Sequence, residues 1–134
     1  MFVTPVCVGR LNFTTTTAGR AFVMPFSGRL TAVNISDTTA VTASDSNYHT
    51  FTVVNKGAAN AGTTAMIATT TSKATGTGAT GDIAACVPKA ATLSTTYANT
   101  LFVEGDVILV TATRASSGAF TNGAVELLAV PGGY

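Results

Sequence analysis

The sequence predicts an all-β domain of the sandwich or barrel class, and three observations support this. Threonine, which is β-branched and suits a pleated surface with one wet face, supplies about one residue in five. Seven or eight short apolar runs are separated by clusters rich in glycine, serine and asparagine. No window repeats apolar residues at helical spacing over three turns between two caps. The 134 residues suit a single domain that can bury a core.

The predicted strands follow one another along most of the chain. They span residues 20–26, 28–36, 48–54, 63–70, 82–88, 100–105, 106–114 and 123–130. Pro25 lacks a backbone donor, which favours an edge position or a bend in the first strand, and Pro88 is expected to end the fifth. In the fourth strand, Met66 and Ile67 are expected on opposite faces. Residues 72–81, "SKATGTGATG", predict a mobile surface loop.

Alternation of side chains assigns the faces of two strands in the first half of the chain. Thr31, Val33 and Ile35 fall on one face of the second strand. Phe51 and Val53 fall on one face of the third, with threonines on the other. This spacing predicts one face packed on a core and one face in water.

The segment "NKGAANAG" (55–62) raises the question of a phosphate-binding loop. In such a loop a lysine follows a glycine and a helix opens directly afterwards, so that its N-terminus faces the phosphate. Here Lys56 precedes Gly57, and a strand pattern follows Gly62. Asparagine and glycine at 55, 57, 60 and 62 tolerate positive φ. The segment therefore predicts a hairpin, with Gly57 and Gly62 as structural turn residues.

Glu104, Gly105 and Asp106 link two apolar runs in "FVEGDVILV". Two carboxylates this close in sequence could perform acid–base chemistry. A corner between strands is the stronger interpretation, with Gly105 in an unusual backbone conformation and Asp106 bonding the next backbone amides.

Residues 1–19 are interpreted as an N-terminal arm or an outlying strand, and residues 20–134 as the β-sandwich domain. The segment "MFVTPVCVGR" would expose Phe2, Val3, Val6 and Val8 if it were free, and burying such side chains is worth about 1.5–3 kcal/mol each. We therefore expect these four residues to be assembly contacts. The segment could pair with a sheet edge of its own subunit, but a neighbouring subunit or a capsid surface is favoured.

Few side chains are available for chemistry. His49 is the single histidine. A catalytic triad would also need a nucleophile and an orienting acid, and the sequence identifies neither, so we expect a surface or interface imidazole. Cys7 and Cys86 are expected to be buried free thiols, with a disulfide as the alternative. Asp37 and Asp45 are too few for a cation cage unless loop carbonyls complete a Ca²⁺ site. We predict no catalytic residue, no metal site, no cofactor and no small-molecule substrate.

The charge content narrows the class of partner. Seven Lys and Arg residues against six Asp and Glu give a net charge of +1, which provides no basic field for direct binding of nucleic acid. No apolar run approaches the ~18 residues of a membrane span, and the first residues lack a signal-peptide pattern. Only 10% of residues are charged, against about 25% in ordinary domains. This favours a surface partly buried in an assembly over a threonine-coated monomer.

Four segments in order resemble small capsid decoration (cement) proteins of tailed bacteriophages. They are "FVMPFSGRLTAVNIS", "FTVVNKGAANAGTT", "FVEGDVILVTATR" and "AVELLAV", and the similarity covers most of residues 20–130. The resemblance implies a jelly-roll-like β-sandwich, a homotrimer and attachment to the major capsid protein on the outside of the virion. It implies no catalytic residue.

Two functions of other classes remain open. A receptor- or carbohydrate-binding sandwich of a phage fibre or bacterial surface protein ranks second, because the chain has no tryptophan and three tyrosines. A hydrolase on a jelly-roll scaffold ranks third, since no set of histidine and carboxylates is visible.

Overall fold

A computed structural model describes residues 4–117 and 120–132 as a β-protein with ten strands and one short 3-10 turn. The long strands are β1 (Val6–Phe13), β2 (Ala18–Val23), β3 (Gly28–Asp37), β4 (Tyr48–Gly57), β9 (Val107–Ala115) and β10 (Gly123–Pro131). Four two-residue strands lie between β4 and β9, namely β5 (Thr64–Ala65), β6 (Thr70–Thr71), β7 (Lys89–Ala90) and β8 (Leu101–Phe102). The 3-10 turn, Tyr97–Thr100, directly precedes β8.

Two antiparallel sheets pack face to face, which confirms the predicted all-β sandwich. The first sheet has the order β1-β10-β3, and both β7 and β8 pair with the outer side of β3. The second has the order β2-β9-β4, and β5 and β6 pair with the outer side of β4. β1 and β2 are therefore edge strands, one in each sheet.

The strand directions divide the sandwich into two ends. The lower end is where β1, β3 and β9 begin and β2, β4 and β10 finish. The upper end is opposite, where β2, β4 and β10 begin and β1, β3 and β9 finish. We use these two names below.

The core lies between the sheets and follows the alternation of the long strands. Phe51 and Val53 are buried, as predicted for one face of β4, and so are Val33 and Ile35 of β3. Thr31 does not share their face, because the register shifts opposite β10 next to it and Leu30 enters the core instead. A bulge of this kind reverses which residues point inward on one side of it.

Three predicted strands are wrong as continuous elements. One of them, 100–105, is reduced to the two-residue β8, because Thr100 ends the 3-10 turn and the chain turns again at residues 103–106. After β5 the chain leaves β4: Ala68 N donates to Thr92 O and Ser94 N donates to Met66 O. The change of partner breaks the alternation, so Met66 and Ile67 are both buried rather than on opposite faces. Residues 82–88 bridge once, between Ile83 and Val41, and then turn, with Cys86 at φ 59°.

The N-terminal segment is a strand of the sandwich over residues 6–13. β1 pairs along β10 of its own chain, from Val6 opposite Ala129 to Phe13 opposite Gly123. Of the two interpretations of residues 1–19, the outlying strand describes this part and a free arm does not. For residues 6–13 the favoured docking on a neighbouring subunit or capsid surface is wrong, because the strand already pairs with its own sheet. β2 also runs across residues 19 and 20, so the described chain shows no separation there.

Candidate functional site

The lower end of the sandwich carries most of the exposed large hydrophobic side chains in the described ranges. Val6 is 46% exposed, Val23 68%, Tyr97 53% and Val103 61%, and all four lie at this end. The fifth such residue, Val87, is on the turn next to the end of β3 at the upper end. The apolar surface is thus concentrated at one end, which is typical of an interaction site.

A tight turn over residues 103–106 builds the centre of this lower end. Asp106 N donates to Val103 O at 2.9 Å, and Gly105 has φ 90°, in the region that favours glycine. The Asp106 carboxylate accepts from Val103 N at 2.9 Å and from Asn55 Nδ2 at 3.1 Å. Asp106 therefore closes its own turn and ties it to β4, instead of bonding the following amides as predicted. The corner at Gly105 is confirmed.

Next to this turn lies a shallow depression of about 300 Å³ lined by Leu101, Phe102, Val103 and Asp106. Phe102 is buried and forms its floor, while Val103 stands exposed at its rim. The Arg29 guanidinium lies 5.6 Å from the centre of the Tyr97 ring, close to β8. The surface is therefore apolar with one cation–aromatic pair at its margin.

The two edge strands lie together on one side of the sandwich. Arg20 of β2 donates from Nη1 to the carbonyl of Arg10 in β1 at 3.1 Å. A Cβ atom on Gly9 of β1 would stand 2.9 Å from the ring of Phe22 in β2, so the strands approach closely. Within the described chain each strand pairs with a single neighbour, which leaves one backbone edge open on each.

The predicted assembly contacts divide into three cases. Phe2 and Val3 lie outside the described residues. Val6 is exposed at the lower end, in the position expected of a contact residue. Val8 is half-buried and packs on the core of its own domain, so part of its apolar surface is already covered within the chain.

The segment 55–62 turns the chain into β5 and forms no phosphate cradle. Gly57 has φ 67° and Asn60 φ 57°. Gly62 N donates to Lys56 O at 2.8 Å, and a Cβ atom on Gly62 would stand 2.7 Å from Asn55 O. Gly57 is thus required for its backbone conformation and Gly62 for close approach, as a hairpin demands.

The upper end is polar, and aspartates hold its loops. Asp37 is buried and accepts from the backbone amides of Thr39, Thr121 and Asn122, as well as from the Thr121 hydroxyl. Asp45 accepts from the amides of residues 74 and 75 and from the Thr75 hydroxyl. These hydrogen bonds lower the pKa of Asp45 below its usual value, the backbone bond from Thr75 most strongly. Both carboxylates are structural clamps.

His49 is fully buried at the upper end, so the expectation of a surface imidazole is wrong. Its ring lies among Phe13, Phe51 and Phe120, with centroids 5.2–6.3 Å away. Burial lowers the pKa of His49 from its ordinary value of 6.5, and the Arg114 charge acts in the same direction. The backbone of Thr16 and Thr14 opposes these effects.

Both cysteines are free, as expected, but they are exposed rather than buried. Cys7 lies on edge strand β1 near the lower end, opposite Leu128. Cys86 lies at the upper end, where its amide donates to Asp37 O.

Residues 4–117 and 120–132 contain no cluster of three or more His, Cys, Asp or Glu side chains that could hold a metal ion. The one short helical turn in these ranges is too short to cross a membrane. No protein-family model, curated protein or solved structure matches the chain.

Val23, Val103 and Tyr97 were not singled out by their sequence context. Val23 and Val103 stand in apolar runs that alternation assigns to strands, and such runs are normally buried. Their exposure follows from their place at the strand ends beside the turn over 103–106. Val103, two residues before the turn glycine Gly105, is the one of the three that turn chemistry could have pointed to.

Proposed function

We propose that this chain is a structural virion protein that binds the outer surface of a phage head as a decoration protein and stabilises capsomer contacts. The observation that carries this proposal is the apolar lower end with Val6, Val23 and Val103 exposed. A surface of this kind gains free energy by being covered, at about 25 cal/mol per Å² of apolar area. The low charge content reduces the desolvation cost of covering it.

The strand order supports the jelly-roll interpretation. The first long strand, β1, lies beside the last, β10, and β2 lies beside β9 in the other sheet. This nested pairing is the one produced when a long antiparallel ribbon is wrapped into two facing sheets. The motifs that resemble decoration proteins fall on β2 to β4 and on β8 to β10.

A decoration protein needs no catalytic group. It stabilises the assembled shell by mass action, because it binds the assembled state in preference to separate capsomers. A homotrimer would present three copies of the lower end to the major capsid protein at once, which raises avidity. We place the open edges of β1 and β2 at the contacts between the three copies, where a neighbour would cover them.

The test is cosedimentation of the purified chain with empty heads assembled from the major capsid protein of the phage that carries its gene. We expect saturable binding and a higher temperature of head disassembly when the chain is bound. Val23→Asp and Val103→Asp should weaken binding at least tenfold, because each places a charge in the apolar contact.

Val87→Asp is the matched control, since it changes another exposed valine, 53% exposed, at the opposite end. Loss of binding in Val87→Asp alone would move the contact to the upper end. Absence of binding by the wild-type chain would overturn the proposal, and specific binding on a glycan array would favour the carbohydrate-binding alternative instead.

A further inference from the structure

His49 occupies an environment that suits a neutral imidazole and opposes an imidazolium. The side chain is 0% exposed and is enclosed by Phe13, Phe51 and Phe120. A buried charge without a partner is far more costly than a buried neutral ring.

The surroundings of the two ring nitrogens indicate which of them carries the single proton of the neutral imidazole. Nε2 lies 3.4 Å from the carbonyl of Thr16, which can only accept, so we assign the neutral ring's proton to Nε2. Nδ1 is buried and has no hydrogen-bond partner. A second proton would go to Nδ1, which has no hydrogen-bond partner; the backbone of Thr14 favours the protonated ring, but burial opposes it more strongly.

The charged groups on the neighbouring elements do not compensate for such a charge. Arg114 of β9 stands directly opposite His49 in the sheet register and repels an imidazolium. Lys73, beyond β6, is another cation and lies over the Tyr48 ring at 4.4 Å. Asp37, at the end of β3, is the buried carboxylate of the upper end. Its oxygens already accept hydrogen bonds from the backbone amides of Thr39, Thr121 and Asn122. Residues 13–17 on β1 and after it contain no ionisable side chain.

The ring is also tied to the segment that joins the two sheets. Thr14–Thr17 runs from edge strand β1 of the first sheet to edge strand β2 of the second. Two contacts hold this crossover to the second sheet: the His49 contact with Thr16 O, and the bond from Arg114 N to Thr17 Oγ1 at 3.0 Å. Displacing the imidazole would loosen the crossover and uncover the rings of Phe13 and Phe120.

We propose that His49 is an acid-sensitive latch, which releases the Thr14–Thr17 crossover and loosens the upper end of the sandwich when it takes up a proton. The latch lies away from the lower end and does not depend on the proposed function. Its effect has a definite sign. Below about pH 6.5 the opened state binds a proton that the closed state resists, so the closed state loses stability as the pH falls.

The experiment follows the latch by NMR and hydrogen exchange between pH 7.5 and 5. His49 is the only histidine, so its Cε1–H signal is assigned without ambiguity. We expect it to titrate below pH 6.5, together with faster exchange of the Arg114 amide after correction for the intrinsic pH dependence. The Met24 amide, which donates to Asp106 O at the lower end, is the internal control and should keep its protection.

Two variants test whether the imidazole causes the change. His49→Gln retains a donor for Thr16 O, and His49→Phe completes the aromatic cluster; neither can take up a proton. In wild type the equilibrium constant for opening at the Arg114 amide should rise by up to tenfold for each pH unit by which the pH falls between 6.5 and 5. In either variant that rise should be absent. The same rise in a folded variant would overturn the proposal. So would a wild-type His49 that titrates near 6.5 with no change at Arg114, and this readout holds even if both variants fail to fold.

Discussion

Phe13 covers Gly123 on the adjacent strand: a Cβ atom placed on Gly123 would stand 2.6 Å from Cζ of the Phe13 ring. The two residues are directly paired between β1 and β10. Phe13 is itself held among His49, Phe51 and Phe120, so its ring has little freedom to move. The glycine therefore lets the N-terminal edge strand place an aromatic ring in the core.

Gly123→Ala should accordingly destabilise the protein by about 1–3 kcal/mol, since overpacking a filled core forces side chains from their preferred positions. Gly19→Ala is the matched control, because Gly19 is exposed on β2 and its added methyl would meet Thr111 Cγ2 at an ordinary 3.4 Å. Urea unfolding measures both variants. Equal stability of the two would show that Phe13 can move aside.

Gly105→Val should cost about 1–3 kcal/mol, because a β-branched residue is strained at φ 90°. Space is not the cause, since nothing lies within 4 Å of a Cβ atom there. Gly105→Asn should cost less, because asparagine tolerates positive φ better than valine does. Thermal melting compares the three proteins, and a valine variant that melts with wild type would contradict the backbone argument.

Asp37→Ala should destabilise the fold by about 3 kcal/mol or more. The change leaves backbone amides of Thr39, Thr121 and Asn122 without their acceptor, at ~1–3 kcal/mol for each amide that remains buried. Asp37→Asn keeps one accepting oxygen and should lose less. Urea titration at neutral pH provides the measurement, and an alanine variant as stable as wild type would mean that water replaces the carboxylate.

Asp45→Ala should release the loop around residues 74 and 75 without a large change in global stability, because the Asp45 carboxylate accepts both of its amides at an exposed site. Since hydrogen bonding lowers the pKa of Asp45, its contribution is present above pH ~3.8 and is lost as the pH falls through the lower folded value. Limited proteolysis within residues 72–81 should be faster in the variant. Unchanged cleavage would show that other contacts hold the loop.

Cys7 and Cys86 should remain two free thiols in the native protein. Cys7 of β1 pairs with Leu128 of β10, and Leu128 pairs with Ala32 of β3, so Cys7 and Ala32 lie at the same height in the sheet. The Cys86 amide donates to the carbonyl of Asp37, which lies five residues further along β3. Five residues span roughly 16 Å, beyond the ~7 Å Cα separation that a disulfide permits. Thiol titration without denaturant should count two groups per chain. A count of zero with a monomeric chain on a non-reducing gel would contradict the described positions.

Light scattering after gel filtration should give about 40 kDa for the proposed trimer, three times the 13.5 kDa chain. The edge strands β1 and β2, which carry Arg10 and Arg20, are the elements that we place at the contacts between the three subunits. A monomer mass at micromolar concentration would count against the trimer while leaving head binding to be decided by cosedimentation.

Features that depend on neighbours along the chain could be predicted from the order of the amino acids. Alternation identified β3 and β4, and apolar runs between turn-rich clusters identified β9 and β10, because each of these strands is long and packs one face on the core. The turn chemistry identified Gly57 and Gly105, since few other residues adopt their backbone conformation.

Which surfaces are covered could not be predicted in the same way, because burial depends on the packing of strands that are distant in sequence. His49 stands between the half-buried Tyr48 and Thr50 and carries no sign of burial in the sequence, yet Phe13 and Phe120 enclose it from two other elements. Residues 63–70 alternate like a strand, but bonding to Thr92–Ser94 draws both Met66 and Ile67 inward. The apolar lower end exists because the pairing of β1 with β10 and of β2 with β9 brings Val6, Val23 and Val103 to the same end, and no local pattern specifies that pairing.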